Sequence, residues 1–508
     1  MKSIGHTQTR VTSQPFCQPL NWGDHFVEAW RSLRLSQPTD PQHALLDGFK
    51  AQYNTLKALP RRQRRLIQRQ WKHSLAAVAL LFALGAQPAL AATINVGGAC
   101  TLIRAIVAAN NDTTATGHCA KGSGADTIVL PRNSTQSLTA IDNNTYDFGA
   151  TGLPVIRSVI TIAGNGSTIR RASSAPAFRV FAVDQDRTSS STCADCGNLT
   201  LRDTASSGGK AAPSAGSPHS RFGGAVLNLG GVVTLINSVV SGNAAETGGG
   251  LMNDEGIRYE GAFLRLIDST VSGNRASKRG GGIGNFEYSS VRMNNSTVSG
   301  NSAGTDGGGI FNGYASGVTV NNSTISGNSA RDGGGVYTYG RGIVSLIHST
   351  IHGNSASVMG GGIHNAYQGD VTLAHVLLSG NRAPAGAELH EELDDRFGTV
   401  TAADFNLFGH SGLTNSQAFS GFTPGVTDIT ATSDGDTPTA LGAILNRSLA
   451  SNGGRTRTHA LVAGSPAVDA VNDGTCPPPA RDQRGVRRPQ DGNGDGGPAC
   501  DIGSFERR

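Results

Sequence analysis

The chain is poor in charged side chains, in aromatic side chains and in long apolar runs. Of its 508 residues, 16% are charged and 6% are Phe, Trp or Tyr. The apolar run at residues 75–84 is shorter than the roughly 20 residues that a membrane-spanning helix needs. We therefore expect no transmembrane span in the mature chain.

The formal net charge of +5 is concentrated near the N-terminus. Residues 1–91 contain 12 Lys and Arg against 4 Asp and Glu, which leaves 30 basic and 33 acidic residues in the rest. That remainder has no cluster of basic and aromatic side chains. This shortage of positive charge excludes a typical nucleic-acid partner.

The N-terminal segment has the layout of an export signal. Six basic residues precede the apolar run, and a small-x-small motif follows it at residues 89–91. This arrangement predicts a secretory signal peptide over residues 61–91, and a secreted or cell-surface protein exported by a bacterium. Residues 1–60 are an N-terminal extension with two interpretations, a long leader or a consequence of start-site choice. The six basic residues are Arg61, Arg62, Arg64, Arg65, Arg69 and Lys72.

Repetition is what the sequence has in abundance. Six related segments end at asparagines spaced by 26 to 31 residues, and residues 295–301 are one of the clearest copies. A Gly-Gly-Gly-Ile-x-Asn motif lies between them, as at residues 307–312. Such a fixed period is typical of a solenoid, whose units bury their apolar faces against each other. The repeated asparagines are Asn243, Asn274, Asn301, Asn328, Asn354 and Asn381.

The composition of one repeat favours strands over helices. Val318-Thr319-Val320 predicts a strand with every second side chain inward, and the flanking Gly and Asn residues predict bends. Strands and bends that close after about 27 residues predict one coil of a parallel β-helix. We expect an all-β fold, a right-handed parallel β-helix solenoid over residues 151–395. Caps are expected at residues 92–150 and 396–508, because open strand edges aggregate.

Six cysteines remain after the predicted signal, and they fall into three local pairs. Proximity favours three disulfides, Cys100–Cys119, Cys193–Cys196 and Cys476–Cys500. The middle pair has CxxC spacing, which also occurs in redox sites. Without a thioredoxin-like context, we interpret it as a structural bridge in an exported protein.

Two flanking regions resemble known bacterial modules. Residues 100–106 (CTLIRAI), with residues 109–111, Cys119 and residues 124–130, resemble the CSLREA domain. Ile103 and Arg104 stand where that family has Arg and Glu, so a role for that acidic residue is not expected. Residues 441–506 resemble a choice-of-anchor Q type module, through motifs at residues 449–454, 458–461, 464–469, 482–485 and 500–505.

Together the two resemblances imply a secreted or surface β-helix protein of the pectin-lyase-like fold, often without a known activity. Modules of this type commonly precede a sorting signal. Here the sequence stops at Arg508 without a hydrophobic tail. The expectation is release from the cell or anchoring by a partner.

Stacked coils turn the sequence period into columns of side chains. One column, five residues before each repeated glycine, is expected to point inward and form a ladder of side-chain hydrogen bonds. Its two histidines have a second interpretation, a metal pair or acid/base site, but they lack a third ligand. A second column follows the glycine motif and is also expected to be structural. The first contains Asn237, Asp268, Asn295, Asn322, His348 and His375, and the second Asn253, Asn285, Asn312 and Asn365.

Four tyrosines follow the second column at nearly the same phase. Exposed rings a few Å apart are suited to sugar rings, which predicts a polysaccharide or cell-surface glycan as partner. The alternative is an aromatic stack that merely closes a loop. The four residues are Tyr288, Tyr314, Tyr339 and Tyr367.

Carboxylates are scarce at the strand positions of the regular coils. Polysaccharide lyases of this fold are expected to cluster Asp and Glu around calcium beside a basic residue, and glycosidases require two or three close carboxylates. The nearest cluster lies beside one longer coil and has no recognisable motif. Its members are Asp254, Glu255, Glu260, Asp268 and Glu287.

A candidate calcium site lies near the C-terminus. Asp491, Asn493 and Asp495 alternate with glycines, and Asp501 follows, which suits a hard cation. The segment begins like an EF-hand loop, but position twelve is Ile502 rather than Glu. The alternative is a hydrophilic loop closed by Cys476 and Cys500.

The leading functional hypothesis is an exported, non-catalytic β-helix that presents an elongated surface for adhesion or glycan binding. It requires no cofactor, although calcium is a candidate. The alternative is a polysaccharide lyase or glycoside hydrolase acting beside residues 251–269. A third hypothesis is a structural envelope component without a ligand. The sequence sets no oligomeric state.

Overall fold

The computed structural model describes residues 91–508, apart from 116, 185–196, 215, 257–260, 393–397, 472–475 and 477. The predicted N-terminal extension, nearly all of the predicted signal peptide and the Cys193–Cys196 pair lie outside the described residues. None of the helices within the described ranges has the length and apolar character needed to cross a membrane.

The first part of the described chain combines one amphipathic helix with long parallel strands. The helix begins at its N-cap Thr101 and buries one face, including Leu102, Ile106 and Ala109, against the apolar interior of the first coils. The Cys100–Cys119 disulfide, with a Cα–Cα distance of 4.9 Å, links the segments on either side of this helix. The elements are β1 (Thr93–Asn95), α1 (Leu102–Asn111), β2 (Asp126–Val129), β3 (Thr135–Leu138), β4 (Asn143–Thr145), β5 (Gly149–Thr151), β6 (Val159–Arg171), β7 (Phe181–Asp184) and β8 (Asn198–Ser207).

The middle of the chain consists of regular coils, which have four strands each among the described residues except for the last coil, which has three. Two strands join a 20-stranded sheet, a short strand joins a five-stranded sheet, and the fourth joins a nine-stranded sheet. The strands are β9 (Val226–Leu229), β10 (Val232–Ile236), β11 (Val239–Ser241), β12 (Ala244–Ala245), β13 (Leu251–Asp254), β14 (Phe263–Ile267), β15 (Thr270–Ser272), β16 (Arg275–Ala276), β17 (Ile283–Asn285), β18 (Ser290–Asn294), β19 (Thr297–Ser299), β20 (Ser302–Ala303), β21 (Ile310–Gly313), β22 (Gly317–Asn321), β23 (Thr324–Ser326), β24 (Ser329–Asp332), β25 (Val336–Tyr339), β26 (Ile343–Ile347), β27 (Thr350–His352), β28 (Ser355–Met359), β29 (Ile363–Asn365), β30 (Asp370–Ala374) and β31 (Leu377–Ser379).

Neighbouring coils pair in parallel and in register, so equivalent residues stack. Val291, Val318 and Val344 are direct partners in β18, β22 and β26, and all three are buried. Val318 and Val320 point inward while Thr319 is only half-buried, which confirms the predicted alternation. The apolar columns form one continuous core between the three sheets.

Strand pairing continues beyond residue 395, where the solenoid was predicted to end. β33 pairs with β30, and β36 still pairs with β34. The predicted boundary is therefore wrong, because the last coils keep the strand register after the glycine motif is lost. Rings of Phe408, Phe419 and Phe422 pack together at 5.5–5.9 Å in the last coil. The final elements are β32 (Leu389–Glu391), β33 (Val400–Ala402), β34 (Leu407–Phe408), α2 (Asn415–Ala418), β35 (Phe419–Ser420), β36 (Ile429–Thr430) and α3 (Leu441–Ile444).

Residues 441–508, which we call the C-terminal strap, contact the side of the solenoid. Gln483 bonds Thr297 at 3.0 Å and Thr324 at 2.7 Å, and these two threonines are partners in adjacent coils. Ser504 bonds Thr324 at 3.1 Å and also Thr350 of the following coil at 3.0 Å. The prediction of an end cap over residues 396–508 is therefore corrected, since the strap crosses several coils on their outer face.

The strap is held together internally by charge pairs and one disulfide. Arg488 and Glu506 form a fully buried ion pair at 2.7 Å. Cys476 and Cys500 form the second disulfide among the described residues, as expected from their proximity.

A ladder of buried asparagines runs along one bend of the regular coils. In each step, the Nδ2 and the backbone N–H of one asparagine donate to the Oδ1 of the next, at 2.9–3.0 Å. The last one, Asn381, donates at 2.6 Å to the carboxylate of Glu388. Burial raises the pKa of Glu388 to about 8. The ladder consists of the six asparagines that mark the sequence period.

We expect Asn301→Ala to lower the free energy of unfolding by roughly 2–4 kcal/mol. The substitution takes the acceptor from the buried backbone N–H of Asn274, which costs about 1–3 kcal/mol. It also removes the side-chain hydrogen bonds to Asn274 Nδ2 and Asn328 Oδ1, each worth about 0.5–1.5 kcal/mol. Urea denaturation measures the change. Asn294→Ala is the control, since Asn294 is half-buried in the same coil and should cost less than about 1 kcal/mol. Equal losses for the two variants would contradict the role of the ladder.

Candidate functional site

The outer face of the nine-stranded sheet is covered at one end and open at the other. Over its first strands, a small apolar cluster joins Leu227 and Met252 to Phe148 of the covering segment. Buried Arg179 holds this cover, because its guanidinium donates to the carbonyl oxygens of Phe148 and His219. Burial lowers the pKa of Arg179 to about 9.

Aromatic side chains occupy the open part of this face in two rows that begin at Phe286. In the inner row, ring centroids lie 4.7 Å apart for Phe286–Phe311, 5.5 Å for Phe311–Tyr337, 4.9 Å for Tyr337–His364 and 4.8 Å for His364–His390. In the outer row, Phe286–Tyr314, Tyr314–Tyr339 and Tyr339–Tyr367 are separated by 5.7, 5.6 and 5.7 Å. We call these eight residues the aromatic face.

The structure brings three of the four predicted tyrosines together. Tyr314 and Tyr367 are exposed, at 39% and 42%, and Tyr339 between them is half-buried. Tyr288 is 65% exposed and stands outside the row, and Phe286, two residues earlier in the same coil, makes the ring contact with Tyr314 instead. The inner row was not predicted. The sequence contained a signal for this row, since its ring-bearing residues recur at the repeat spacing, namely Phe311, Tyr337, His364 and His390.

The packing of the rings decides which of their surfaces meet solvent. Phe286 and Tyr314 lie within 27° of parallel, so their faces cover each other. Tyr314 and Tyr339 meet at 70°, which leaves part of a ring face uncovered. The outer row is therefore not a flat stack of parallel rings, and a more exposed ring stands beside it at Tyr288.

Charged groups border the aromatic face. Arg279 lies 5.3 Å from the centre of the Phe311 ring and 3.0 Å from Asp306. Burial raises the pKa of Asp332 and is the largest influence on it. Burial likewise raises the pKa of Tyr337, so this phenol stays protonated. The face thus combines apolar rings with hydrogen-bond donors and acceptors, which is the mixture found in ligand sites.

An acidic group lies beside Phe286. Burial raises the pKa of Asp254 to about 7, and the charges of Glu287 and Glu255 act in the same direction. The pKa of Glu255 is also about 7, because of burial and a hydrogen bond with the Glu287 side chain. Of the five predicted members, Asp268 faces Arg455 of the strap at 3.9 Å, and Glu260 lies outside the described residues. The remaining three are Asp254, Glu255 and Glu287.

The first predicted column does not point inward and does not form a continuous amide ladder. All six of its residues have φ between 45° and 56°, the left-handed region that Asn and Asp tolerate at a bend. Asn322 donates outward to Arg481 of the strap, and one amide pair, Asn322–Asn295, is bonded at 3.4 Å. The His348 and His375 rings stack at 4.6 Å.

The second predicted column forms a hydrogen-bond ladder over part of its length. Asn253 donates to Asn285 at 2.9 Å, and Asn285 donates to Asn312 at 2.8 Å. Thr338 takes the next position, so Asn312 bonds its hydroxyl at 3.4 Å before Asn365 is reached.

The candidate calcium loop is closed by hydrogen bonds from its own backbone. Asp491 accepts N–H groups of Gly494, at 2.7 Å, and Gly496, at 3.0 Å. Asn493 and Asp495 bond each other at 3.0 Å. Asp501 is fully buried and accepts from Asp469, at 2.8 Å, and from Arg507. Asp501 thus belongs to the interior of the strap, whereas Asp491, Asn493 and Asp495 remain on an exposed loop.

Comparison with known proteins supports the architecture. A family model described as the right handed beta helix region matches residues 217–383. The crystal structure of pectate lyase Pel9A is similar at a TM-score of 0.41 and 14% identity, over 75% of this chain and 88% of that chain. No curated protein matches the chain. With the parallel strand register, the family model confirms the predicted right-handed parallel β-helix.

We expect Asp254→Asn to flatten the pH dependence of folding stability. An aspartate has a pKa of about 3.9 in unfolded chains, whereas that of Asp254 is about 7, so the folded state binds the extra proton between these values. The free energy of unfolding of the parent protein therefore falls as pH rises through this window.

Urea denaturation at about pH 5 and about pH 8 measures this effect. The loss across the window should be smaller in Asp254→Asn than in the parent by roughly 1–4 kcal/mol. Asparagine keeps the acceptor for the Glu255 backbone N–H, so the fold should be preserved. The control Asp404→Asn, at an exposed position, should follow the parent. If the free energy of unfolding of Asp254→Asn falls between these two pH values as much as that of the parent, Asp254 is ionised across the whole range.

Proposed function

We propose that this protein is an exported, non-catalytic β-helix that binds a polysaccharide or a cell-surface glycan on its aromatic face. The observation that carries the proposal is the outer row, in which adjacent coils each place one tyrosine at 5.6–5.7 Å from the next. Coils repeat about every 4.8 Å, so a chain of sugars lying along them would meet a similar group at each step.

The chemistry of the row suits sugars. Sugar rings present C–H groups and hydroxyls together, and tyrosine matches them with an apolar ring and a polar tip. Tyr314 and Tyr367 are exposed residues of the row, and Tyr288 adds an exposed ring beside it. Arg279 and Asp306 border the Phe311 side with further hydrogen-bonding groups.

Export is supported by the cysteines together with the predicted signal peptide. Cys100–Cys119 and Cys476–Cys500 are disulfides in the structure, and such bonds persist mainly in oxidising compartments. Calcium stays a candidate ligand of the loop that contains Asp491, Asn493 and Asp495.

We expect purified protein to bind polysaccharides on a glycan array without shortening them, and to lose at least about tenfold in affinity in Tyr314→Ala/Tyr339→Ala. Loss of base-stacking aromatic rings costs about 1–3 kcal/mol each in other proteins that bind extended polymers. Tyr146→Ala is the control, because Tyr146 is 71% exposed but makes no ring contact with the row. Unchanged binding in the double variant would remove the row from the site. Repeating the array with and without calcium tests the ion.

A second candidate function is cleavage of the bound polysaccharide beside Phe286. It is favoured by one observation, the pKa values of about 7 for Asp254 and Glu255, which suit a general acid or base. In hydrolysis, one carboxyl group would protonate the glycosidic oxygen while a carboxylate accepts a proton from the attacking water.

Under this second candidate, shortened or unsaturated products should appear from a bound polysaccharide, and Glu255→Gln should slow their formation at least about 100-fold. Chromatography of the products measures the rate. Binding on the array should persist in the variant, which separates catalysis from recognition. Product formation at the parental rate in Glu255→Gln would exclude this residue as the acid or base.

A further inference from the structure

We propose that His364, His390 and Glu392 form a binding site for a divalent transition metal ion, with zinc as the best match. Each of these three side chains offers one ligand atom, and the three atoms lie within 4.8 Å of one another. Among the described residues, this is the group of three His, Cys, Asp or Glu side chains that meets this distance. The site is distinct from the candidate calcium loop and does not depend on glycan binding.

The strand register brings the two histidines together. His364 in β29 and His390 in β32 are direct partners in adjacent parallel strands, so both side chains leave the sheet on the same face. Their rings lie 4.8 Å apart at an angle of 89°. Such an edge-to-face contact is ordinary aromatic packing, and it already occurs between Tyr337 and His364, at 72°. The last two positions of the inner row differ in chemistry instead, because both are imidazoles, whose ring nitrogens can bind a metal ion.

Glu392 supplies the third ligand atom. Its Oε1 lies 3.2 Å from Nε2 of His364, and its other oxygen accepts the backbone N–H of Tyr367 at 3.3 Å. Two ligands of a tetrahedral zinc ion, each at about 2.0–2.1 Å, lie about 3.3 Å apart. The observed His364–Glu392 distance already matches this geometry, and a ring nitrogen of half-buried His390 lies within 4.8 Å of both other ligand atoms.

The burial of His364 argues for more than a simple ion pair. Its side chain is 3% exposed, and Nδ1 has no hydrogen-bond partner. Nδ1 of His390 is also buried without one. Buried polar atoms without partners cost free energy, and in metal sites they are often explained by an ion or an ordered water. Two imidazoles and one carboxylate are a ligand set that zinc uses when a fourth position stays open for water or substrate.

Other ionisable groups around His364 are compatible with a cation. The ring of Tyr337 packs against that of His364, with centroids 4.9 Å apart, and burial keeps this phenol neutral. The carboxyl group of Asp332 interacts electrostatically with His364, and one of its oxygens is buried without a partner. Imidazole-rich sites prefer zinc, copper or nickel to calcium and magnesium.

The test is zinc titration of the full-length, tag-free protein after treatment with a chelator. Isothermal titration calorimetry should show one zinc ion per chain, and His390→Ala and Glu392→Gln should each weaken binding at least about tenfold. Both positions are half-buried or exposed, so circular dichroism should show an unchanged fold. His410→Ala is the matched control, since His410 is also half-buried but lies outside the group.

Cobalt gives a second readout that a structural role alone would not produce. Co²⁺ in a four-coordinate site with nitrogen ligands absorbs visible light strongly, and this absorption should appear in the parent protein and in His410→Ala but not in His390→Ala. Absence of zinc binding by the parent would overturn the proposal. Equal affinity in the parent and both site variants would overturn it as well, by placing the ion elsewhere.

Discussion

The hydrogen bonds between equivalent asparagines of adjacent coils are the interaction on which the solenoid depends. From Asn274 onward, the Oδ1 of each ladder asparagine accepts two N–H groups of the preceding asparagine, and its Nδ2 donates to the next side chain, as Asn301 does with Asn274 and Asn328. A slip of one residue between coils would leave buried amide groups unpaired at every step, which is costly. The ladder also has a direction, so its last donor, Asn381, has no further asparagine to bond. A side-chain oxygen of Glu388 is the acceptor instead.

Fixed register allows the other columns of the molecule to form. At the glycine motif, the coils approach so closely that a Cβ on Gly308 would lie 2.4 Å from the carbonyl oxygen of Ser329. This approach requires glycine, and it keeps equivalent positions on neighbouring coils in line. The same alignment stacks Phe311 on Tyr337 and sets Tyr339 beside Tyr367. The aromatic face is therefore a consequence of backbone register, although its ligand chemistry belongs to the side chains.

The sequence predicted what local patterns determine, and it missed much of what depends on side-chain direction at bends and on contacts between residues distant in sequence. The coil, its inward valines and two disulfides follow from local patterns, and the structure agrees with them. The end of the solenoid was placed too early because β33–β36 keep the strand pairing without the glycine motif. The first column was misjudged because Asn322 occupies a left-handed bend, where strand alternation no longer fixes the direction of a side chain. The contact of Gln483 with Thr324 joins residues 159 positions apart, and no local pattern signals it.

The strap limits how the number of coils in the solenoid can change. In most solenoids each coil contacts only its neighbours, so the number of coils is free to change by whole units. Here Gln483 spans the coils of Thr297 and Thr324, and Ser504 spans those of Thr324 and Thr350. Removing or duplicating a coil within this stretch would move the threonines away from their partners. The strap therefore fixes the number of coils in the stretch that it crosses.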